Sequence, residues 1–142
     1  MAVQPIPEGY RTVTPYLTVS DASALLDFVQ RAFGATVVHA MKGPDDRIAH
    51  ADVMVGDSHV MLGQARDSNQ AMPAMLYLYV ADCDAWYRQA LAAGATSISE
   101  PQTQFYGDRH GAVKDACGNQ WWLATHVEDV AEDELERRSK AR

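Results

Sequence analysis

"TPYLTVSDASALLDFVQRAFGA", residues 14–35, has a second version further along the chain: "MLYLYVADCDAWYRQALAAGA", residues 75–95. Tyr16-Leu17 matches Tyr77-Leu78, Val19 matches Val80, Asp21 matches Asp82, and Gly34-Ala35 matches Gly94-Ala95. The offset drifts only from 61 to 60 residues. Self-similarity at a fixed period means one supersecondary unit used twice. The match continues: "DDRIAHADVMVGDSHVML" (45–62) pairs with "GDRHGAVKDACGNQWWL" (107–123), setting Asp46-Arg47 against Asp108-Arg109 and Leu62 against Leu123.

Both copies give the same local reading. An alternating strand comes first, at 12–19 and at 75–80. Asp21 or Asp84 then opens an amphipathic helix, its carboxylate near the free N-terminal amides. Leu25, Leu26, Phe28, Val29 and Ala32 form one apolar stripe; Trp86, Tyr87, Ala90 and Leu91 form the other. Gly34 and Gly94 stand where a C-terminal cap belongs. Three short strands complete each unit, at 36–42, 48–55 and 59–64, then at 96–99, 110–115 and 120–126. The expected fold is α+β: two tandem βαβββ modules, residues 12–64 and 75–126, joined by a linker at 65–74. The remaining segment, 127–142, is too polar for a core; Asp129 and Glu132 have capping-box spacing, which predicts a surface helix.

Composition removes several function classes. The 142 residues are 47% hydrophobic and 22% charged, ordinary for a globular domain. No apolar run approaches the ~20 residues that cross a bilayer, and "MAVQPIPEGYR" lacks the basic and apolar regions of a signal peptide. A cytoplasmic protein without a membrane partner is expected. A net charge of −7 with no dense basic patch argues against nucleic acid, whose phosphates must be neutralised. Cys83 and Cys117 have neither CxxC spacing nor a further thiolate for zinc, and read as small packing thiols. There is no Ser-His-Asp pattern, P-loop or GxGxxG.

The paired units, with "V-x-D" closing the first strand and "D-x-x-G-N" before the last, resemble the vicinal-oxygen-chelate superfamily: glyoxalase I, extradiol dioxygenases, fosfomycin and bleomycin resistance proteins. The resemblance is closest to its PhnB-like branch and covers residues 12–130. "FYGDRHGAVKDACGNQWWLATHVED" is the most specific stretch. The resemblance implies curved mixed sheets around a cavity, helices outside, in a homodimer.

Strand alternation assigns the faces. Leu17, Val19, Leu76, Leu78, Val80, Val60, Leu62, Trp121 and Leu123 should pack on the helices. Tyr16, Tyr77, Tyr79, His59, Met61 and Trp122 should line the opposite face, so the adjacent tryptophans part company. Metal-dependent members of the superfamily place His, Gln or Glu at four positions that fall here on Thr14, Met61, Met75 and Trp122. None suits a hard or borderline divalent ion, so the resemblance predicts neither metal nor other cofactor. A His50–Asp52–His59 metal site is conceivable but lacks a standard spacing.

His39 and His126, at strand ends, read as solvated. His50 is either a structural hydrogen-bonder or a polar group that fixes a ligand, and it is the sole candidate for catalysis. Arg109 either pairs with Asp108 or Asp115 to hold the "FYGDRHG" loop or offers its fork to an anionic group. Tyr106 either stacks on a ligand or covers that loop. The expected function is metal-independent binding or sequestration of a small molecule by Tyr16, His50, His59, Met61, Tyr77, Tyr79, Tyr106, Arg109 and Trp122. The alternative is a metal-dependent lyase, isomerase or dioxygenase acting on a small oxygenated substrate.

Overall fold

A computed structural model describes residues 2–141. The chain divides into two compact units between Pro73 and Ala74. The first contains β1 (Tyr16–Val19), α1 (Ala22–Phe33), β2 (Thr36–Lys42), β3 (Ile48–Val55) and β4 (Ser58–Gln64). The second contains β5 (Met75–Tyr79), α2 (Cys83–Ala92), β6 (Thr96–Thr103), β7 (Asp108–Lys114), β8 (Gln120–His126) and α3 (Glu132–Ala141). The expected α+β pair of βαβββ modules is present.

Each module has one four-stranded mixed sheet, ordered β1-β4-β3-β2 and β5-β8-β7-β6. In both, the first strand pairs parallel with the last, and the other pairs are antiparallel. A parallel pair needs a long crossover, and the module's first helix lies within it. α1 packs on β1, β3 and β4; α2 packs on β6, β7 and β8.

The helices begin where a carboxylate meets free amides. Asp21 accepts from Ala24 N at 3.0 Å and Asp82 from Ala85 N at 3.1 Å. The second N-cap is therefore Asp82, not Asp84, which lies inside the first turn. α1 ends on Gly34 in the left-handed region (φ 63°), with Gly34 N and Ala35 N returning to Gln30 O and Val29 O. Leu25, Phe28, Val29 and Ala32 of α1 are buried, as are Leu17, Val19, Ala51, Val53 and Leu62 of the sheet. In the second module the buried helix residues are Cys83, Tyr87 and Ala90. Trp86 and Leu91, placed in the same stripe by sequence, are only half-buried.

Several boundaries differ from expectation; β7, for one, begins at Asp108 rather than 110. β1 begins at Tyr16 rather than 12, although Pro15 O still accepts from Met61 N. β6 runs to Thr103, with its register broken between Ser99 and Gln102 around Pro101, which has no N–H for the ladder. α3 starts at Glu132, so Asp129 is not its cap; Asp129 binds His126 instead. Among the described residues no helix is long and apolar enough to cross a membrane.

Candidate functional site

The sheet face away from α1 carries a linked polar group. Asp52 of β3, 3% exposed, lies directly opposite Met61 of β4. Its Oδ1 is 2.9 Å from His59 Nδ1, and its Oδ2 accepts from the Tyr10 hydroxyl. Tyr10 comes from the segment before β1 and stacks on His59, ring centroids 3.7 Å apart and nearly parallel. Bonding to the carboxylate raises the Tyr10 phenol pKa, so Tyr10 holds its proton and acts as a donor. Tyr16 Oη lies 3.3 Å from His50 Nδ1. Gly63 faces the Tyr16 ring: an added Cβ there would lie 2.8 Å from Tyr16 Cε1.

The corresponding face of the second module has a different hub. Asp108, 5% exposed, accepts at Oδ2 from Tyr77 Oη (2.8 Å) and Tyr79 Oη (2.9 Å). Its Oδ1 meets His126 Nδ1 at 3.0 Å, while His126 Nε2 meets Asp129 Oδ1 at 2.7 Å. Burial opposes the charge on Asp108. The bonds from His126, Tyr77 and Tyr79 outweigh it and hold the carboxyl below its usual range. The same bonds push the partners up: Tyr77 by burial and by Asp108, Tyr79 by Asp108 first, His126 by Asp108 and then Asp129. Two residues along the strand, His110 Nε2 lies 2.6 Å from Tyr106 Oη. The rings of Trp122 and Tyr77 meet the His110 ring edge-to-face, with centroids 5.2 and 5.9 Å away.

The two tryptophans are set by the turn before β8. Asp115 Oδ1 accepts from Cys117 N (2.9 Å) and Asn119 N (3.0 Å), and Oδ2 from Trp121 Nε1 (2.8 Å) and Asn119 Nδ2 (3.1 Å). Asn119 Oδ1 in turn accepts from Ala74 N at 3.0 Å, fixing the start of β5 beside β8. The "D-x-x-G-N" motif at 115–119 is thus a structural clamp. It pins Trp121 in the core at 0% exposure, and alternation then puts Trp122 on the opposite face. Trp122 Nε1 donates to Gln120 Oε1 at 3.0 Å.

The sequence-derived candidates fall on two sides of the sheets. Tyr16, His50, His59 and Met61 share the face away from α1, and Tyr77, Tyr79 and Trp122 the face away from α2. Tyr106 reaches the second of these through His110. Arg109 does not. Its neighbours His110 and Asp108 point away from α2, so Arg109 points toward it, where it grips Asp84 through two bonds of 2.8 and 2.9 Å. This pair, not one with Asp108 or Asp115, employs the guanidinium and holds the Asp84 carboxyl down to about 2. His126 also departs from expectation, being bonded to two carboxylates rather than merely solvated.

The donor set at the four positions implied by resemblance does not fit a divalent ion. Two thioethers and an indole that donates but cannot coordinate leave Thr14 as the sole oxygen. Asp52 and His59 are directed at each other, and among the described residues no three His, Cys, Asp or Glu side chains gather to hold a metal.

A model of the glyoxalase/bleomycin resistance protein/dioxygenase superfamily matches residues 11–123. The chain belongs to that superfamily. Uncharacterized proteins of Mycobacterium bovis and Mycobacterium tuberculosis are each 33% identical to it over 135 residues; the match covers 87% of this chain and 89% and 79% of theirs. TioX from Micromonospora sp. ML1 shares its fold with a TM-score of 0.71 at 23% identity, covering 82% of this chain and 99% of TioX. A superfamily structure from Nocardioides has a TM-score of 0.65 at 18% identity, covering 93% and 90%.

Within this superfamily fold, sequence reasoning missed Tyr10, Asp108 and His110. The register offered a signal for the last. Tyr16 pairs with Met61 as Tyr77 pairs with Trp122, and His50 pairs with Gly63 as His110 pairs with Ala124. His50 and His110 are therefore equivalent, as the shared His-x-x-Val at 50–53 and 110–113 indicates. The alignment of Asp46-Arg47 with Asp108-Arg109 is two residues out of this register.

Proposed function

We propose that this superfamily member binds a small organic molecule without a metal ion, sequestering it on the aromatic faces of its sheets. The observation that carries this reading is the exposure of side chains that ordinarily pack. Tyr16 is 51% exposed, Tyr77 40%, Tyr79 65% and Met75 57%, while Met61 and Trp122 are half-buried beside them. Aromatic and thioether surfaces suit flat apolar ligands, and contiguous apolar exposure on a folded domain marks a contact site. The net charge of −7 favours a neutral or cationic ligand, and aromatic ring faces also attract cations. The donor set at Thr14, Met61, Met75 and Trp122 supports a metal-free mode over a metal-dependent lyase, isomerase or dioxygenase. The finer resemblance to the PhnB-like branch, a homodimeric state and a cytoplasmic location belong to the same proposal.

Thermal shift of the wild-type chain against planar aromatic and cationic compounds tests it, since a ligand that binds only the folded state stabilises by mass action. At least one compound should raise the midpoint, and Trp122→Ala should remove that rise with little loss of intrinsic stability. If no compound binds, and Trp122→Ala costs about 3–5 kcal/mol as a packed core aromatic does, the binding reading fails.

A further inference from the structure

His110 holds the buried side-chain polar atom that finds no hydrogen-bond partner among the described residues, its Nδ1. The residue is 8% exposed. A buried polar atom left unmatched is costly, and here it leaves the imidazole without a second bond that would fix its tautomer. The other side chains of this face are matched. Asp108 has its three donors, and Trp122 has Gln120. At His110 no carboxylate fixes either nitrogen; the bond found there is to a phenol, at 2.6 Å, the short end of the O–H range. With Nδ1 free, the ring can carry its proton on either nitrogen, so Nε2 can accept from a hydroxyl or donate to one.

The phenol belongs to Tyr106, on the turn between β6 and β7, a residue 37% exposed. The backbone of that turn is tied down. Arg138 Nη1 donates to Phe105 O at 2.9 Å, and Gly107 O accepts from Val127 N and Glu128 N. The phenol can therefore leave by side-chain rotation while the turn stays in place.

We propose that His110 Nε2 reads the hydroxyl of a planar, phenol-class ligand, and that Tyr106 Oη holds that place in the ligand-free chain. The ligand ring would lie against Trp122, with Tyr77 as the adjoining edge. This rests on the aromatic-face reading above and gives it a substrate class. Tyr106 then acts as an internal competitor: every binding event must first displace it, which lowers apparent affinity.

Isothermal titration of the full chain with 4-cyanophenol and benzonitrile, which differ by the hydroxyl alone, tests the assignment. Wild type should bind 4-cyanophenol about tenfold more tightly than benzonitrile. Tyr106→Phe should tighten 4-cyanophenol by about three- to tenfold, the ratio set by one ordinary hydrogen bond. His110→Phe should keep aromatic binding but erase the discrimination. Equal affinities in wild type, or discrimination that survives His110→Phe, would overturn the assignment and leave the aromatic-face reading standing. Binding of neither probe to any variant would overturn both. Should His110→Phe not fold, Tyr106→Phe decides alone, and absence of tightening refutes the competitor role.

Discussion

Replacing Asp115 with Ala tests the clamp that orients the tryptophans. The carboxylate satisfies Cys117 N, Asn119 N, Asn119 Nδ2 and Trp121 Nε1 at 2.8–3.1 Å. Cys117 is only partly buried, so water can replace the carboxylate there, but Asn119 and Trp121 are 0% exposed. Three donors are thus stranded in the interior, at about 1–3 kcal/mol each. A water entering the vacated space would satisfy some of them and move the total to the low end. Removing a buried charge returns part of its own desolvation cost. The expected net loss is about 3 kcal/mol. All three tryptophans, Trp86, Trp121 and Trp122, lie in the second module, so their fluorescence during urea unfolding follows the affected unit. With m near 1–3 kcal/mol/M, the midpoint should fall by about 1–3 M. Because Trp121 spends its N–H on Asp115, Trp121→Phe and Asp115→Ala should be non-additive by about 1–2 kcal/mol in a double-mutant cycle. A midpoint shift under about 0.3 M, or strict additivity, would show that the motif does not hold Trp121 and that its neighbour's placement on the open face has another cause.

Two further outcomes follow from the same geometry. The His126–Asp108 pair should give a bell in stability against pH: His126, with its pKa raised, stabilises fully below the unfolded value near 6.5 and loses this as pH climbs through the folded value. Asp108, with its pKa lowered, loses its contribution as pH falls from the unfolded value near 3.9 through the folded one. The stability gap between wild type and His126→Gln, which leaves Asp108, Asp129, Tyr77 and Tyr79 in place, should therefore be wider at about pH 6 than at about pH 9; a gap independent of pH in calorimetry would contradict the pairing. Gly107→Ala and Gly34→Ala should separate strain from crowding. At Gly107 (φ 100°) an added Cβ runs into the backbone carbonyl of Glu128, whereas at Gly34 (φ 63°) it meets nothing within 4 Å. Urea titration should show a loss above about 3 kcal/mol for the first and about 1–2 kcal/mol for the second. Equal losses would refute the steric part.

Much of the fold was legible because the strongest sequence signals are local and repeated. The Asp21 and Asp82 caps and the Gly34 terminus each report one backbone event. The alternation of Leu17 and Val19 with Tyr16 and Thr18 reports one face. The candidate site was only half legible. Alternation correctly separates Trp121 from Trp122, since face is a property of the strand itself. Partner choice is not. Arg109 found Asp84 because α2 lies across β7, a tertiary fact that no spacing within "GDRHG" contains. Tyr10 reaches Asp52 from outside the repeat, where no period could flag it. His110 was hidden for a different reason. It sits within the charged, glycine-flanked "GDRHG", whose pattern reads as a loop, although an offset of 60 residues sets it level with His50.

The equivalence of His50 and His110 bears on what the duplicated unit keeps and what it varies. Each imidazole stands two strands over from a tyrosine of the parallel pair, Tyr16 or Tyr77, and each shares the face with the residue opposite that tyrosine on the strand between, Met61 or Trp122. The carboxylates are not equivalent. Asp52 has Ala112 as its counterpart, and Asp108 has Ile48. In the first module the buried acid lies opposite Met61 and is capped by Tyr10 and His59; in the second it lies at the end of β7 and gathers the tyrosines of β5. At the position equivalent to Asp52 the second module has Ala112, paired across β7 and β8 with Trp122, whose ring meets His110 with centroids 5.2 Å apart. Each of the equivalent imidazoles meets a phenol, but His50 is partly exposed, whereas His110 is buried with a ring nitrogen that finds no partner among the described residues. That asymmetry is why discrimination between a phenol and its hydroxyl-free analogue should track substitution of His110 and not of Asp52.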